Sequence, residues 1–276
     1  MALNSVNTNV GAMIALQNLS RTNSELGTVQ NRINTGQKVS SAKDNGAVWA
    51  IAQGQRAEIG ALNAVKDSLN RGQSAVDVSL AAGESVSDLL IQLKEKALAA
   101  TDTSLSTSAR SALNEDFTSI RDQIATVVEN ASFNGVNLLD GSMTAGFGAL
   151  ANISGSTITI ADEDMSLSGS IVTLAAAESI STASTATAAL AKVDASIANV
   201  SASLARLGTG SKSLGTHLNF VAKLQDTLEA GVGNLVDADL AKESARLQSL
   251  QTKQQLGVQA LSIANSSTSI LLGLFR

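Results

Sequence analysis

The chain has 276 residues and a net charge of −5, with no Pro, no Cys, no Tyr, one His, one Trp and five Phe. That charge leaves no basic footprint for nucleic acid, the scarce aromatics offer no platform for stacked bases, and a single His without Cys supplies no zinc-ligand set. At a usual frequency of roughly 5%, about fourteen Pro would be expected in a chain of this length; without them, and with Ala and Leu abundant, long helices are predicted.

The apolar residues keep heptad time from the start. Leu3, Val6, Val10 and Met13 step by 3, 4, 3. After a phase shift Leu19, Leu26 and Ile33 step by seven, with Val29 between, which is a coiled-coil stripe. "NTGQ" (34–37) interrupts it, and a long helix is predicted from about Ala42 to Ala100. There Leu62, Leu69, Val76 and Leu90 lie at multiples of seven, and Val65, Val86 and Leu93 fill the companion positions.

"TDTSLSTS" (101–108) reads as a turn with helix-start residues. Leu113, Phe117, Ile120, Ile124 and Val127 mark the next helix, which "SFNGVNLLDG" (132–141) ends with Asn-Gly and Asp-Gly turn signals. "NISGSTITIADEDMSLSGSIVTL" (152–174) alternates Ile with Thr and predicts strands and a hairpin. From Leu190 to Leu235 a stripe of fourteen heptad positions follows, all apolar except Ser211 and Gln225. It breaks at "DAD" (237–239). A last helix uses Leu240, Leu247, Leu250, Leu261, Ala264, Leu271 and Phe275, and its seam is diluted by Gln254, Gly257 and Thr268.

The expected fold is therefore mainly α, with long antiparallel helices formed by the two ends of the chain and a small central β-hairpin region. Residues 1–39 with 236–276 are expected to form a terminal coiled-coil inner domain. Residues 40–140 with 189–235 form a helical bundle, and 141–188 a short β-rich surface insertion in that second domain. The chain ends on "SILLGLFR", an apolar hook that other copies of the chain would cover. The polymerisation set is Leu3, Val6, Val10, Met13, Leu19, Leu26, Ile33, Leu261, Ala264, Leu271, Leu274 and Phe275. No run approaches the length of a membrane span. "MALNSVNTNVGAMIAL" lacks the charged and apolar regions of a secretory signal, so any export would use a route without a cleaved one.

No catalytic constellation emerges. His217 lies between seam positions of a heptad, without a nucleophile or orienting partner pattern. "GTGSKSLG" (208–215) lacks the Gly-Lys-Ser/Thr ending of a phosphate loop and sits inside a helical stripe. The carboxylates of "DED" (162–164) and "DADLAKE" (237–243) have no Ca-loop spacing and read as solvated turn and helix-start groups. Trp49 reads as a packing residue. No cofactor and no metal are expected.

"NRINTGQKVSSAKDNGAVWAIA" (31–52) closely resembles the N-terminal signature of bacterial flagellins, through Arg32, Ile33, Gly36, Lys38, Val39, Ser41, Ala42, Asp44, Ala47, Ala50, Ile51 and Ala52. "FNGVNLL" (133–139) looks like that family's Phe-Asn-Gly turn, and residues 236–276, with Asp237 and Asp239, resemble its C-terminus. The resemblance implies a short flagellin without large outer domains, self-polymerising into an extracellular filament for motility. It makes Arg32, Gly36, Ser41, Asp44, Asp237 and Asp239 an inter-domain signature. The implied partners are other copies of the chain, alone or mixed with other flagellins. The flagellar export machinery, an export chaperone, and hook-junction and cap proteins complete the set. Readings of a hook-filament junction protein, which shares the terminal coiled coil, and of a cytoplasmic coiled-coil scaffold stand beside it.

Two stretches depart from the family pattern. "IQLKEKALA" (91–99) places Gln92, Lys94, Glu95 and Lys96 where the family's toll-like receptor 5 contact carries Arg, Arg, Glu and Leu. Weak recognition by that receptor is expected, because Lys and Gln lack the planar fork of Arg. "LGTHLNFV" (214–221) puts Phe220 where the family pattern has Arg, which alters contacts between subunits. Some family members carry O-linked sugars on the central region. Here Ser154, Ser156, Thr157, Ser166, Ser168, Ser170 and Thr173 are the matching hydroxyls in a low-charge segment expected to face solvent.

Overall fold

The computed structural model describes residues 8–273, with side chains through residue 266. Five helices carry the described residues: α1 (Val10–Thr35), α2 (Gly46–Ala100), α3 (Thr107–Asn130), α4 (Ala183–Val236) and α5 (Leu240–Gly273). Two antiparallel hairpins lie between α3 and α4: β1 (Ser132–Phe133) with β2 (Val136–Asn137), and β3 (Phe147–Leu150) with β4 (Thr157–Ile160). The chain divides into two compact units, Met1–Ala57 with Thr227–Arg276, and Glu58–Asp226. None of the described helices is long and apolar enough to cross a membrane.

The helix ends follow local chemistry. Asn9 Oδ1 accepts the Ala12 N–H at 2.9 Å and starts α1, and Gly36, at φ 69°, ends it in the left-handed conformation that glycine adopts without strain. Ser106 caps α3 by accepting the Ala109 N–H. The Asn-Gly signal makes the tight turn of the first hairpin, with Asn134 at φ 52° and Gly135 at φ 78°.

The second unit is built on the stripes predicted from the sequence. Leu62, Val65, Leu69, Val76, Val86, Leu90 and Leu93 of α2 are buried, as are Phe117 and Ile124 of α3. On α4 all fourteen stripe positions from Leu190 to Leu235 are buried or half-buried, and nine of them lie within this unit from Val193 through Val221. Helices α2 and α4 run antiparallel: Lys94 pairs with Asp194 at 2.8 Å, Gln73 reaches Ser211, and Lys66 reaches Gln225.

Glycines let the second hairpin lie close on these helices. A Cβ on Gly72 would stand 2.9 Å from the Phe147 ring and 3.2 Å from the Ala149 Cβ; one on Gly210 would meet the tip of Ile160 at 2.8 Å. The Leu150 N–H donates to Ser68 Oγ at 3.0 Å, fastening the strand across α2. "GTGSKSLG" is thus helix, and its small residues make room for packing.

Three expectations change. Of 152–174 only Thr157–Ile160 is strand, and its partner is the preceding Phe147–Leu150. Residues 161–182 form an irregular strap, and they are not a surface insertion throughout: Met165, Ile171, Val172, Leu174 and Ile180 are buried. Backbone bonds from Glu163 N to Leu138 O and from Met165 N to Leu139 O, both 2.8 Å, stitch the strap down. Glu163, read from sequence as solvated, is 4% exposed; Arg206 Nε and Ser203 Oγ each donate to its carboxylate at 2.7 Å. A buried carboxylate persists because a cation and a hydroxyl replace its water.

Replacing Gly72 by Leu should therefore cost about 1–3 kcal/mol of stability through overpacking against Phe147. Gly60, also in α2, has nothing within 4 Å of a built Cβ, so Gly60→Ala should instead stabilise by roughly 0.5–1 kcal/mol. Urea unfolding followed by circular dichroism compares the two.

Candidate assembly interface

Helices α1 and α5 pair antiparallel through a heptad seam. Ala12, Ala15, Leu19, Thr22, Leu26, Val29 and Ile33 turn inward on α1, and Glu243, Leu247, Leu250, Gln254, Gly257, Leu261 and Ala264 on α5. The diluting residues have partners. Gln254 Nε2 donates to Asn23 Oδ1 at 2.8 Å, and Leu19 packs over Gly257, 3.3 Å from where a Cβ would stand. Asn9 Nδ2 donates to the Ala264 carbonyl at 2.7 Å.

Of the sequence-predicted polymerisation residues, Leu19, Leu26, Ile33, Leu261 and Ala264 thus face the partner helix of the same chain. Val10 and Met13 do not; they are 52% and 55% exposed, and Ala12 and Ala15 take the seam positions. Leu240 is likewise exposed. Leu3, Val6, Leu274 and Phe275 lie outside the described residues, as does the side chain of Leu271.

The signature residues come together in the first unit. The Lys38 N–H donates to Val236 O at 2.7 Å and the Ala238 N–H to Gly36 O at 2.9 Å, so 36–39 and 236–238 form a short antiparallel clasp around the Gln37–Asp237 bridge. Arg32 Nη1 lies 3.2 Å from Glu243 Oε1, and Glu243 is only 8% exposed. The sequence reading of 237–243 as solvated missed this buried carboxylate. Asp239 Oδ1 accepts the Lys242 N–H at 3.1 Å and starts α5. Asp44 Oδ2 accepts from the hydroxyls and N–H groups of Ser40 and Ser41, all within 3.1 Å. Those donors, the Ser40 hydroxyl foremost, hold its carboxyl below the usual range.

In the second unit Gln92, Lys94 and Glu95 are exposed, and Lys96 pairs with Asp116 at 2.8 Å. His217 Nε2 sits 2.6 Å from the Ala151 carbonyl, holding the turn of the second hairpin to α4. Among the seven hydroxyl residues, Ser154, Ser156, Thr157, Ser168, Ser170 and Thr173 are exposed, and Ser166 is half-buried. Ser166 Oγ is bonded to Asp164, and Thr173 Oγ1 lies 3.3 Å from Ser196 Oγ. Beside them Asp162 Oδ1 is buried without a hydrogen-bond partner in the described structure. Desolvation first, then the charges of Asp140, Asp164 and Glu163, push the Asp162 carboxyl up to about 6. No group of three or more acidic or His side chains among the described residues is arranged to hold a metal ion.

The family description for the bacterial flagellin N-terminal helical region matches residues 6–144, and that for the C-terminal helical region matches 190–275. The chain belongs to the bacterial flagellin family. It is 60% identical to flagellin FljK and 61% identical to flagellin FljN of Caulobacter vibrioides, over 276 residues and the full length of each. A putative flagellar hook-associated protein from Vibrio parahaemolyticus shares the fold at a TM-score of 0.55 and 16% identity, over 70% of this chain and all of that one. The flagellin matches over the whole length decide against the junction-protein and scaffold readings. This flagellin is a structural subunit of the flagellar filament, a short form of 276 residues.

Asp162 gives the flagellin a pH-dependent element. Its carboxyl has an unfolded value near 3.8 and a folded value of about 6. Between these, the folded chain keeps a proton that the unfolded chain has released, so rising pH draws the equilibrium toward unfolding. Asp162→Asn should match the wild type below pH 4 and be the more stable protein at pH 7. Denaturant midpoints at the two pH values, at one ionic strength, measure the difference.

Proposed function

We propose that this flagellin polymerises through the outward apolar faces of its terminal helix pair, building an extracellular filament for bacterial motility. One observation carries the reading. With the α1–α5 seam closed, Val10, Met13, Ile14 and Leu16 on α1 and Leu256, Val258 and Ile263 on α5 remain at least half exposed. Apolar surface of this extent on both helices of a pair needs a partner. Val10 and Met13 belong to that outward set. Leu19, Leu26, Ile33, Leu261 and Ala264 shape the pair that presents it; for Leu3, Val6, Leu271, Leu274 and Phe275, outside the described side chains, the assembly role is proposed from sequence alone.

Other copies of the chain, alone or mixed with other flagellins, are the partners of these faces. The subunit reaches its site through the flagellar export machinery with a chaperone, and filament ends meet hook-junction and cap proteins. The exposed hydroxyls Ser154, Ser156, Thr157, Ser168, Ser170 and Thr173 are acceptors for O-linked sugars; the half-buried Ser166, bonded to Asp164, is not. Intact-mass spectrometry of natural filaments should then show added sugar mass, and a mass equal to the bare chain removes this part of the reading.

Burying a Leu, Ile or Phe of "SILLGLFR" against other copies would contribute roughly 1.5–3 kcal/mol gross, offset by the entropy of association. Deleting 269–276 should leave the helical signal of the rest nearly intact and abolish or severely slow seeded elongation. Circular dichroism and elongation on the same sample test both halves. Normal elongation would show that the tail is not an assembly element.

A further inference from the structure

After α2, α3 and α4 have closed the core of the second unit, α2 and α4 each keep one outward stripe. On α2 it consists of Glu84, Asp88, Ile91, Glu95 and Leu98, all exposed. Steps of 4, 3, 4 and 3 put them on one face of the helix. The ion pairs that α2 makes within its unit use Lys94 and Lys96 instead. Ile91 and Leu98 are 55% and 57% exposed between those carboxylates.

On α4 the outward stripe carries two lysines, with the exposed Asp226 at its edge three residues beyond the second. Lys212, Thr216, Phe220 and Lys223 are exposed along one face, with Leu224 beside them. Phe220, at 57% exposure, is one of only five Phe in the chain. Its ring lies 5.7 Å from that of His217, and both wall a depression that Lys212 and Ile158 also line. The charges on the two stripes are opposite, and their spacing agrees. Glu84 and Glu95 are eleven residues apart, as are Lys212 and Lys223, so each pair spans about 16.5 Å of helix. In both stripes the large apolar groups lie between or next to the charges.

We propose that the α2 stripe of one copy docks on the α4 stripe of the next, pairing Glu84 and Glu95 with Lys212 and Lys223 and covering Phe220 with Ile91 and Leu98. This rests on the filament-subunit reading and specifies one contact within it. Two copies cannot meet through their α2 stripes, because like charges juxtaposed across an interface cost several kcal/mol. The contact is therefore between two different patches. A contact of that kind propagates from copy to copy and gives an open helical array when the rotation does not close a ring. It also accounts for a large exposed aromatic ring in an aromatic-poor chain.

The test is a charge swap in the full-length protein, with elongation from wild-type seeds or self-seeded filaments as readout and circular dichroism as the fold control. Glu84→Lys with Glu95→Lys should raise the critical concentration about tenfold or more, as should Lys212→Glu with Lys223→Glu. The chain carrying all four changes, grown on its own seeds, should return to within about threefold of wild type, because opposite charges again face each other. Wild-type elongation by either double variant overturns the proposal, and so does a folded four-change chain that fails to elongate. If a reversal unfolds its chain, Glu95→Gln with Lys212→Gln replaces it. The salt dependence of its critical concentration then shrinks if these charges meet across the contact, and an unchanged dependence refutes the pairing. A wild-type chain that does not elongate at all would instead defeat the filament reading, before any variant is compared.

Discussion

The register between α1 and α5 governs the first unit, and apolar burial does not set it. Half of the fourteen seam residues are small or polar: Ala12, Ala15, Thr22, Glu243, Gln254, Gly257 and Ala264. Such a seam drives pairing but discriminates weakly between registers, because only half of its positions carry large knobs that demand particular holes. Polar contacts along its length supply the discrimination: Asn9 with the Ala264 carbonyl, Gln254 with Asn23, Arg32 with Glu243, and the clasp at Gln37–Asp237. A slip of one heptad, about 10.5 Å, would set Arg32 beside Leu250 and leave the buried Glu243 without its cation. An unpaired buried charge is far more costly than the loss of a surface pair. The ion pair thus acts chiefly against the wrong register, with Gly36 and Asp239 fixing where each helix stops and starts.

How much of this was legible in the sequence depended on periodicity. The α4 stripe could be followed from Leu190 to Leu235 because 54 residues of unbroken helix keep one phase, and every predicted position is buried or half-buried. Around Val10 and Met13 the same method chose the wrong face. It follows bulk, and here the bulky residues point outward while Ala12 and Ala15 occupy the seam. Small residues in a seam carry little hydrophobic signal even when their position matters most for close approach. The strap at 161–182 was harder still. It has no period, and its burial depends on partners such as Arg206, which stands 43 residues from Glu163. Of the signature residues the sequence found the positions but not the contacts: nothing local says that Arg32 meets a residue 211 positions away.

The second unit follows another economy of contacts, suited to a chain with few large side chains. Helical glycines at 72, 83 and 210 admit Phe147, Leu204 and Ile160 as intruding groups. Buried hydroxyls then replace water for the irregular backbone: Ser196 Oγ accepts the Thr173 N–H, and Ser68 Oγ accepts that of Leu150. Close approach raises the number of dispersion contacts where aromatic area is absent, and the hydroxyls keep the strap's amides satisfied.

The outward faces follow from the same composition. A helix that buries one stripe against a single partner is normally polar elsewhere. Helices α1 and α5 are not: Ile14, Leu16, Val258 and Ile263 stand off the seam, and all are at least half exposed. The pair is thus apolar on more than one side, which is the pattern of an element surrounded by neighbours. In the second unit the outward stripes are charged instead, with Glu84, Asp88 and Glu95 on α2 and Lys212 and Lys223 on α4. Apolar faces supply most of the free energy of association but little direction, whereas charged faces select orientation and exclude wrong pairings. A subunit that must add repeatedly in one geometry needs both kinds of surface, and this chain places them in different units.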